Sequence, residues 1–240
     1  DGATPLTTTA LFAATLVATS TDSSSGTFTA GSATFDAADR VSSVTNGNGN
    51  FTRFTYDAAG NVATVLDAVG NMTQWTYDDD GQVTEETNAL GDSRYYTYNE
   101  DGTLARYTDR NGQVRVYQYD NQQRVTTETW YANTADADAE VNPLNTLLFA
   151  YDDAGRIVSE SDDFSSVTYV YNDDGRLTAT TQASSDGPTV VLAYAYNEDG
   201  LRSSTTATID GVADYVEDYT YDCEGNLLSI AQYGVQGGNA

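Results

Sequence analysis

The sequence predicts an all-β fold: an antiparallel meander of hairpins forming a curved or spiralling β-strip of about nine repeats. Three observations predict it. The segment Phe54-Thr55-Tyr56-Asp57-Ala58-Ala59-Gly60-Asn61-Val62 returns as Trp75-Thr76-Tyr77-Asp78-Asp79-Asp80-Gly81-Gln82-Val83, and the pattern then recurs along the chain. Aromatic residues two apart share parity, which puts both rings on one face of a strand. Tyr occurs 18 times in 240 residues and Thr is abundant, both suited to a pleated, half-buried surface, while Ala and Leu at helical spacing are confined to the first twenty positions.

Each repeat opens on a strand that ends in an aromatic residue, at Phe35, Tyr56, Tyr77, Tyr98, Tyr119, Tyr151, Tyr171, Tyr196 and Tyr221. The first four intervals are 21 residues and the later ones 32, 20, 25 and 25, so the connections vary while the unit persists. A second ring precedes by two positions, as at Phe54, Trp75, Tyr96, Tyr117, Phe149, Tyr169, Tyr194 and Tyr219. Next comes a tight turn. Asp or Asn follows the ring (Asp57, Asp78, Asp120, Asp152 and Asp222 among them), then two mostly polar residues, then Gly at Gly60, Gly81, Gly102, Gly155, Gly175, Gly200 and Gly225. The Asx side chain can bond the backbone two residues on, and Gly supplies the positive φ of a type I turn with a G1 bulge. Asp39 and Gln123 stand in for Gly in two units, where the turn is expected to be strained or differently shaped.

The return strand begins two past the Gly position with Val41, Val62, Val83, Leu104, Val125, Ile157, Leu177 or Leu227. In the eighth unit Leu201 follows Gly200 directly and Arg202 takes the apolar place, which predicts a register shift or bulge there. A second turn leads to the next unit, marked early by Gly70-Asn71, Gly91-Asp92 and Asn111-Gly112. An isolated two-stranded hairpin is marginal in water, so the units must stack to fold.

Two domains follow. Residues 35–240 form the repeat array, interrupted near 131–147 by an acidic insertion, Asp136-Ala137-Asp138-Ala139-Glu140, read as an exposed loop. Residues 1–34 form an N-terminal cap or donor-strand segment, uncharged over residues 2 to 21. Such a stretch needs burial, either over the first repeat or as a strand added to another copy.

The chain carries 36 acidic and 10 basic residues, all Arg, with no His, for a formal net charge of −26. That field excludes nucleic acid as a partner, because a polyanion gains no counterion release on another polyanion. Solubility is the plain reading of the acidity, and adaptation to salt or divalent cations the sharper one. The single Cys223 allows no internal disulfide framework. No apolar run of about 18 residues marks a membrane span. A start at Asp1 rather than Met suggests a processed form or a piece of a longer chain. Sequons at Asn50-Phe51-Thr52 and Asn71-Met72-Thr73 matter only where glycosylation occurs.

No catalytic, cofactor-binding or metal-ligating set emerges. Without His there is no triad or imidazole metal site, and Cys223 has no cationic neighbour in sequence to activate it. Carboxylate pairs are too abundant here for one to mean glycoside hydrolysis. The turns Asp78-Asp79-Asp80-Gly81, Asn99-Glu100-Asp101-Gly102 and Asn172-Asp173-Asp174-Gly175 resemble calcium loops superficially but lack the distal Glu. The aromatic ladder is read as core; Tyr95, Tyr107 and Tyr131, lying between the tracks, are candidates for an exposed sugar or partner surface.

A Y-D-x-x-G-R-L core at this spacing resembles the YD repeats of Rhs-type proteins, teneurins and the C components of insecticidal toxin complexes. Tyr151-Asp152-Asp153-Ala154-Gly155-Arg156-Ile157 and Tyr171-Asn172-Asp173-Asp174-Gly175-Arg176-Leu177 carry it best, and the likeness runs from Phe35 to roughly Leu228. It implies a long β-strip that spirals into a hollow shell, although the chain has far fewer repeats than a closed shell and lacks the aspartate-containing cleavage motif. The expected role is a non-catalytic extracellular or cell-surface structural protein whose strip self-associates end to end into filaments. The alternative is a fragment of an Rhs-type encapsulating shell or a surface adhesin for glycans. The expected partner is another copy of the chain, with glycans and divalent cations as further candidates and no cofactor.

Overall fold

The computed structural model describes residues 16–17 and 31–234. Of the N-terminal segment 1–34 expected as a cap or donor strand, only Leu16–Val17 and residues 31–34 are among the described residues, the latter leading into and forming most of the first strand of the first hairpin. The chain divides into two compact units, Asp1–Asn111 and Gly112–Ala240.

The first unit holds β1 (Leu16–Val17), β2 (Ser32–Phe35), β3 (Val41–Thr45), β4 (Phe51–Tyr56), β5 (Val62–Leu66), β6 (Met72–Tyr77), β7 (Val83–Thr87), β8 (Ser93–Tyr98) and β9 (Leu104–Thr108). Each strand pairs antiparallel with the next. The second unit holds β10 (Val114–Tyr119), β11 (Val125–Tyr131), α1 (Thr134–Ala139), β12 (Asn145–Tyr151), β13 (Ile157–Ser161), β14 (Ser165–Tyr171), β15 (Leu177–Ser184), β16 (Val190–Tyr196), β17 (Arg202–Ile209), β18 (Val212–Tyr221) and β19 (Leu227–Gly234). It is likewise an antiparallel meander. The described residues therefore form nine hairpins, four in the first unit and five in the second, and each aromatic of the repeat is the last residue of its strand.

Every hairpin slips by one residue at that aromatic. In β4 and β5, Thr55 faces Thr64 but Tyr56 faces Val62, so Ala63 is the extra residue of a bulge next to the turn. The turn itself is closed by Asp57 N–H to the Asn61 carbonyl and Gly60 N–H to the Asp57 carbonyl, with Gly60 at φ 98°. Asp39 and Gln123 occupy the same left-handed conformation, at φ 58° and 60°, with the same pair of hydrogen bonds. These two turns keep the common shape and hold the strain in a non-Gly residue.

The eighth unit corrects the sequence expectation. Tyr196 faces Arg202 after the same single slip seen in every other hairpin, so Leu201 and Arg202 fit the common register. The additional irregularity lies farther along, between Ala207 and Thr208 where β17 meets β18. That pair is closed by Asp210-Gly211, both at positive φ (50° and 76°), the chemistry of a type I′ turn.

The acidic insertion is also corrected. It contains α1, whose first turn is capped by Asn133, with the Asn133 carboxamide oxygen accepting from Asp136 N–H. Six residues are too few to hold a helix by themselves. Packing holds this one: Ala137 is buried and joins a cluster with Val114 and Tyr131, flanked by Val116.

That cluster fixes where the core is. On the hairpin face opposite the ladder of rings, Thr and Ser hydroxyls pair across strands, as Thr34 with Ser43, Thr55 with Thr64 and Thr220 with Ser229. Val114, Val116 and Tyr131 share parity with this hydroxyl-rich face, and α1 covers it there. The rings were expected to be core, yet they are half-buried: among the described residues the buried apolar side chains are Val114, Tyr131, Ala137 and Ala207. A single layer of strands shields a ring only by its neighbours along the sheet.

Candidate functional site

The residues of the recurring motif meet at one place in each unit, the seam between successive turns. The Asp after the ring holds its own turn. Asp152 Oδ1 accepts from Ala154 N–H and Arg156 N–H at 2.9 Å each, and Oδ2 accepts from Arg156 Nε at 2.7 Å and Nη2 at 2.6 Å. Asp36 with Arg40 and Asp120 with Arg124 repeat this arrangement. Asp57 and Asp222 hold Asn61 and Asn226 in the same way through the carboxamide. Hydrogen bonds to the charged form favour it. The Arg156 backbone N–H and guanidinium thus hold Asp152 below the usual carboxylate range, and the Arg124 guanidinium does the same for Asp120.

In seven of the repeats the Tyr then reaches back to the repeat before it. The Tyr56 hydroxyl donates to the Val41 carbonyl, and Tyr77 to Val62, Tyr98 to Val83, Tyr151 to Val125, Tyr171 to Ile157, Tyr196 to Leu177 and Tyr221 to Arg202, at 2.6–3.0 Å. Each acceptor is the first residue of the preceding return strand. Burial raises the Tyr77 and Tyr98 hydroxyls above their ordinary range, as expected for phenols enclosed in the seam.

Arginine completes the lock, and its role was missed from the sequence. The guanidinium of one repeat, bound to the Asp after the ring for Arg40, Arg124 and Arg156 and 3.5 Å from Asp174 for Arg176, lies over the next repeat's ring: Arg40 over Tyr56 at 4.3 Å, Arg124 over Tyr151 and Arg156 over Tyr171 at 4.4 Å, and Arg176 over Tyr196 at 5.8 Å. Arg124 Nη1 also donates to the Asp152 carbonyl, and where Gln82 takes the Arg position its Nε2 donates to the Gly102 carbonyl at 3.0 Å. A Cβ on Gly175 would stand 3.1 Å from Arg156 Nη1, so Gly there serves the close approach of the neighbouring unit as well as the turn. The signal was present: Arg recurs four places after Asx at Arg40, Arg124, Arg156 and Arg176.

A second cluster sits on the ring face of the first unit. Glu86 faces Trp75 on one side and Arg94 on the other, and its carboxylate meets both Arg94 and Arg110. Beside it Tyr96 and Tyr107 stack with ring centroids 5.4 Å apart and planes tilted by 46°.

The three rings expected on an exposed surface divide. Tyr95 is exposed, at 49%. Tyr107 belongs to the ring face against Tyr96, and Tyr131 is buried at 7% beneath α1. The acidic turns are not gathered into a metal centre: among the described residues no group of three or more His, Cys, Asp or Glu has metal-holding geometry. No helix among them is long and apolar enough to cross a membrane.

Comparison with known proteins bears on this geometry. The RHS Repeat family matches residues 35–72, 56–93, 98–129 and 151–186, together more than half of the chain. The chain belongs to the RHS repeat family. Among solved structures it is similar to the crystal structure of TcdB2-TccC3, with 17% identity, a TM-score of 0.65 and 80% of this chain covered. TcdB2-TccC3 without its hypervariable C-terminal region gives 18%, 0.64 and 82%. The Tc holotoxin pore of Photorhabdus luminescens gives 18%, 0.59 and 87%. The likeness is one of fold, and this chain spans 12% of the length of each of those chains. No curated protein matches it.

Proposed function

We propose that this chain is a non-catalytic structural element, extracellular or displayed at a cell surface, that forms a stretch of Rhs-type wall and associates through its ends. The observation that carries this reading is the fate of the repeated polar residues. Asp, Arg and Tyr are the groups from which a catalytic constellation would be built in a chain without His, and in unit after unit they are engaged in the same turn and in the bond to the neighbouring turn. Repetition of one arrangement along the array is the mark of a mechanical role, because a catalytic site is a single place that departs from the pattern. The likeness in fold to the toxin-complex chains supports a wall that encloses or supports something else.

A second reading, a surface adhesin for glycans, is favoured by the cluster of Trp75, Glu86, Arg94, Tyr96 and Tyr107. Flat rings beside a carboxylate and guanidinium can stack on a sugar ring and bond its hydroxyls. The test is a turnover and binding screen of the purified chain against polysaccharides and peptides. No turnover is expected, and hydrolysis that disappears when particular carboxylates become amides would overturn the structural role. Retention on a neutral oligosaccharide, lost in Trp75→Ala, would move the assignment to the adhesin.

A further inference from the structure

On the ring face of the first unit, the charge balance of the chain is inverted at one contact. The chain as a whole has 36 acidic and 10 basic residues. At Glu86 two guanidiniums meet one carboxylate: Arg94, directly opposite on β8, and Arg110, from the turn after β9, both address Oε1. Other glutamates of the ring face take different partners. Glu128 meets Arg115 and the Trp130 indole N–H, Glu160 the Tyr169 hydroxyl, and Glu217 the Tyr219 hydroxyl.

One guanidinium balances one carboxylate, and a second beside it repels the first. The second thus has a charge to offer a ligand. Arg110 is committed, bonding Glu86 and donating Nε to the Asp92 carbonyl at 3.3 Å. Arg94 is the one placed to offer it. Its Nη1 stands 3.7 Å from Glu86, beyond hydrogen-bond reach, and its side chain is 39% exposed. Among the described residues Glu86 Oε2 accepts no hydrogen bond, so the same place also presents an acceptor. The apolar part of the site is aromatic. Trp75 faces Glu86 directly, and Tyr96, two residues from Arg94, packs against Tyr107. Trp75 on β6 and Tyr96 on β8 are two strands apart, roughly 10 Å across the sheet.

We propose that this face binds an acidic oligosaccharide, a sugar chain containing a uronate. Arg94 takes the carboxylate, Glu86 accepts from a sugar hydroxyl, and the faces of two linked pyranoses stack on Trp75 and Tyr96. A guanidinium matches a carboxylate in a planar two-bond geometry, which selects the uronate over the neutral hexose. The net charge of −26 opposes any anion at a distance. That field is screened within about 8 Å at physiological ionic strength, so the contact with Arg94 decides once the sugar is seated. A saccharide with a carboxylate on only some of its rings also meets less repulsion than a nucleic acid charged at every residue. This inference rests on the glycan reading above and names its class of sugar.

The test is calorimetric titration of the purified chain at physiological ionic strength with hyaluronan and galacturonate oligosaccharides. Each is compared with its methyl ester, the same sugar with the carboxylate uncharged. The free acid is expected to bind about tenfold or more tighter than the ester, the range of a charge-assisted hydrogen bond. That preference is expected to disappear in Arg94→Gln and to persist in Arg53→Gln, which removes the same charge from the opposite face. Trp75→Ala is expected to weaken acid and ester alike, and melting temperatures near that of the parent show that the Arg variants fold. Equal binding of acid and ester would overturn the acidic class and leave the glycan reading in place. A preference that survives Arg94→Gln would overturn the assignment to this site. Absence of binding to every probe would overturn the site and the glycan reading together, with the structural role still standing.

Discussion

Tyr171→Ala is expected to destabilise the second unit by about 2–4 kcal/mol, below the full range for a buried aromatic because this ring is half-buried. Three contacts are lost together. The ring pairs across the hairpin with Leu177, lies under the Arg156 guanidinium at 4.4 Å, and its hydroxyl donates to the Ile157 carbonyl at 3.0 Å. Tyr171→Phe removes the last alone and is expected to cost about 1 kcal/mol. Urea melts of the three proteins measure both. The order parent, Phe, Ala supports the seam as a bond between units, and an Ala variant as stable as the parent would show that the units are held by backbone pairing alone.

Val114→Asp is expected to cost about 3–5 kcal/mol, the range for an uncompensated charge in the interior. Val114 is the one fully enclosed large side chain among the described residues, packed with Tyr131 and Ala137. Aspartate in its place would either carry a charge into that cluster or take up a proton, and both are unfavourable. Val44→Asp is the control. Val44 is 44% exposed, so the change there should stay within about 0.5 kcal/mol. Equal losses at the two positions would remove the argument that the second unit has a small core under α1.

The strands and turns were legible in the sequence because their causes are local. A ring at every second position, an Asx and a Gly at fixed offsets determine a strand, its face and its turn within about nine residues, and all nine hairpins end where the rings predicted. The burial of Tyr131 was not legible in this way. It depends on a helix from an acidic stretch, Thr134–Ala139, that folds because Ala137 finds Val114, twenty-three residues earlier. The ring face was taken as core because parity places a side chain on a face without saying whether a second layer covers it. The arginine lock lies between these cases. Its spacing was visible, but its purpose appears only when successive turns are brought side by side, and Asn61, Gln82 and Asn226 at the same position obscure the pattern.

The central claim is that neighbouring hairpins within each unit are stapled together by the Asp, Arg and Tyr side chains of their turns. Hydrogen–deuterium exchange resolved along the chain tests it most directly. Protected amides are expected along the strands of both units, and Tyr171→Ala is expected to lower protection in β13 as well as in its own strand β14. Exchange without protection along the strands, or a loss of protection in Tyr171→Ala confined to β14, would contradict the account.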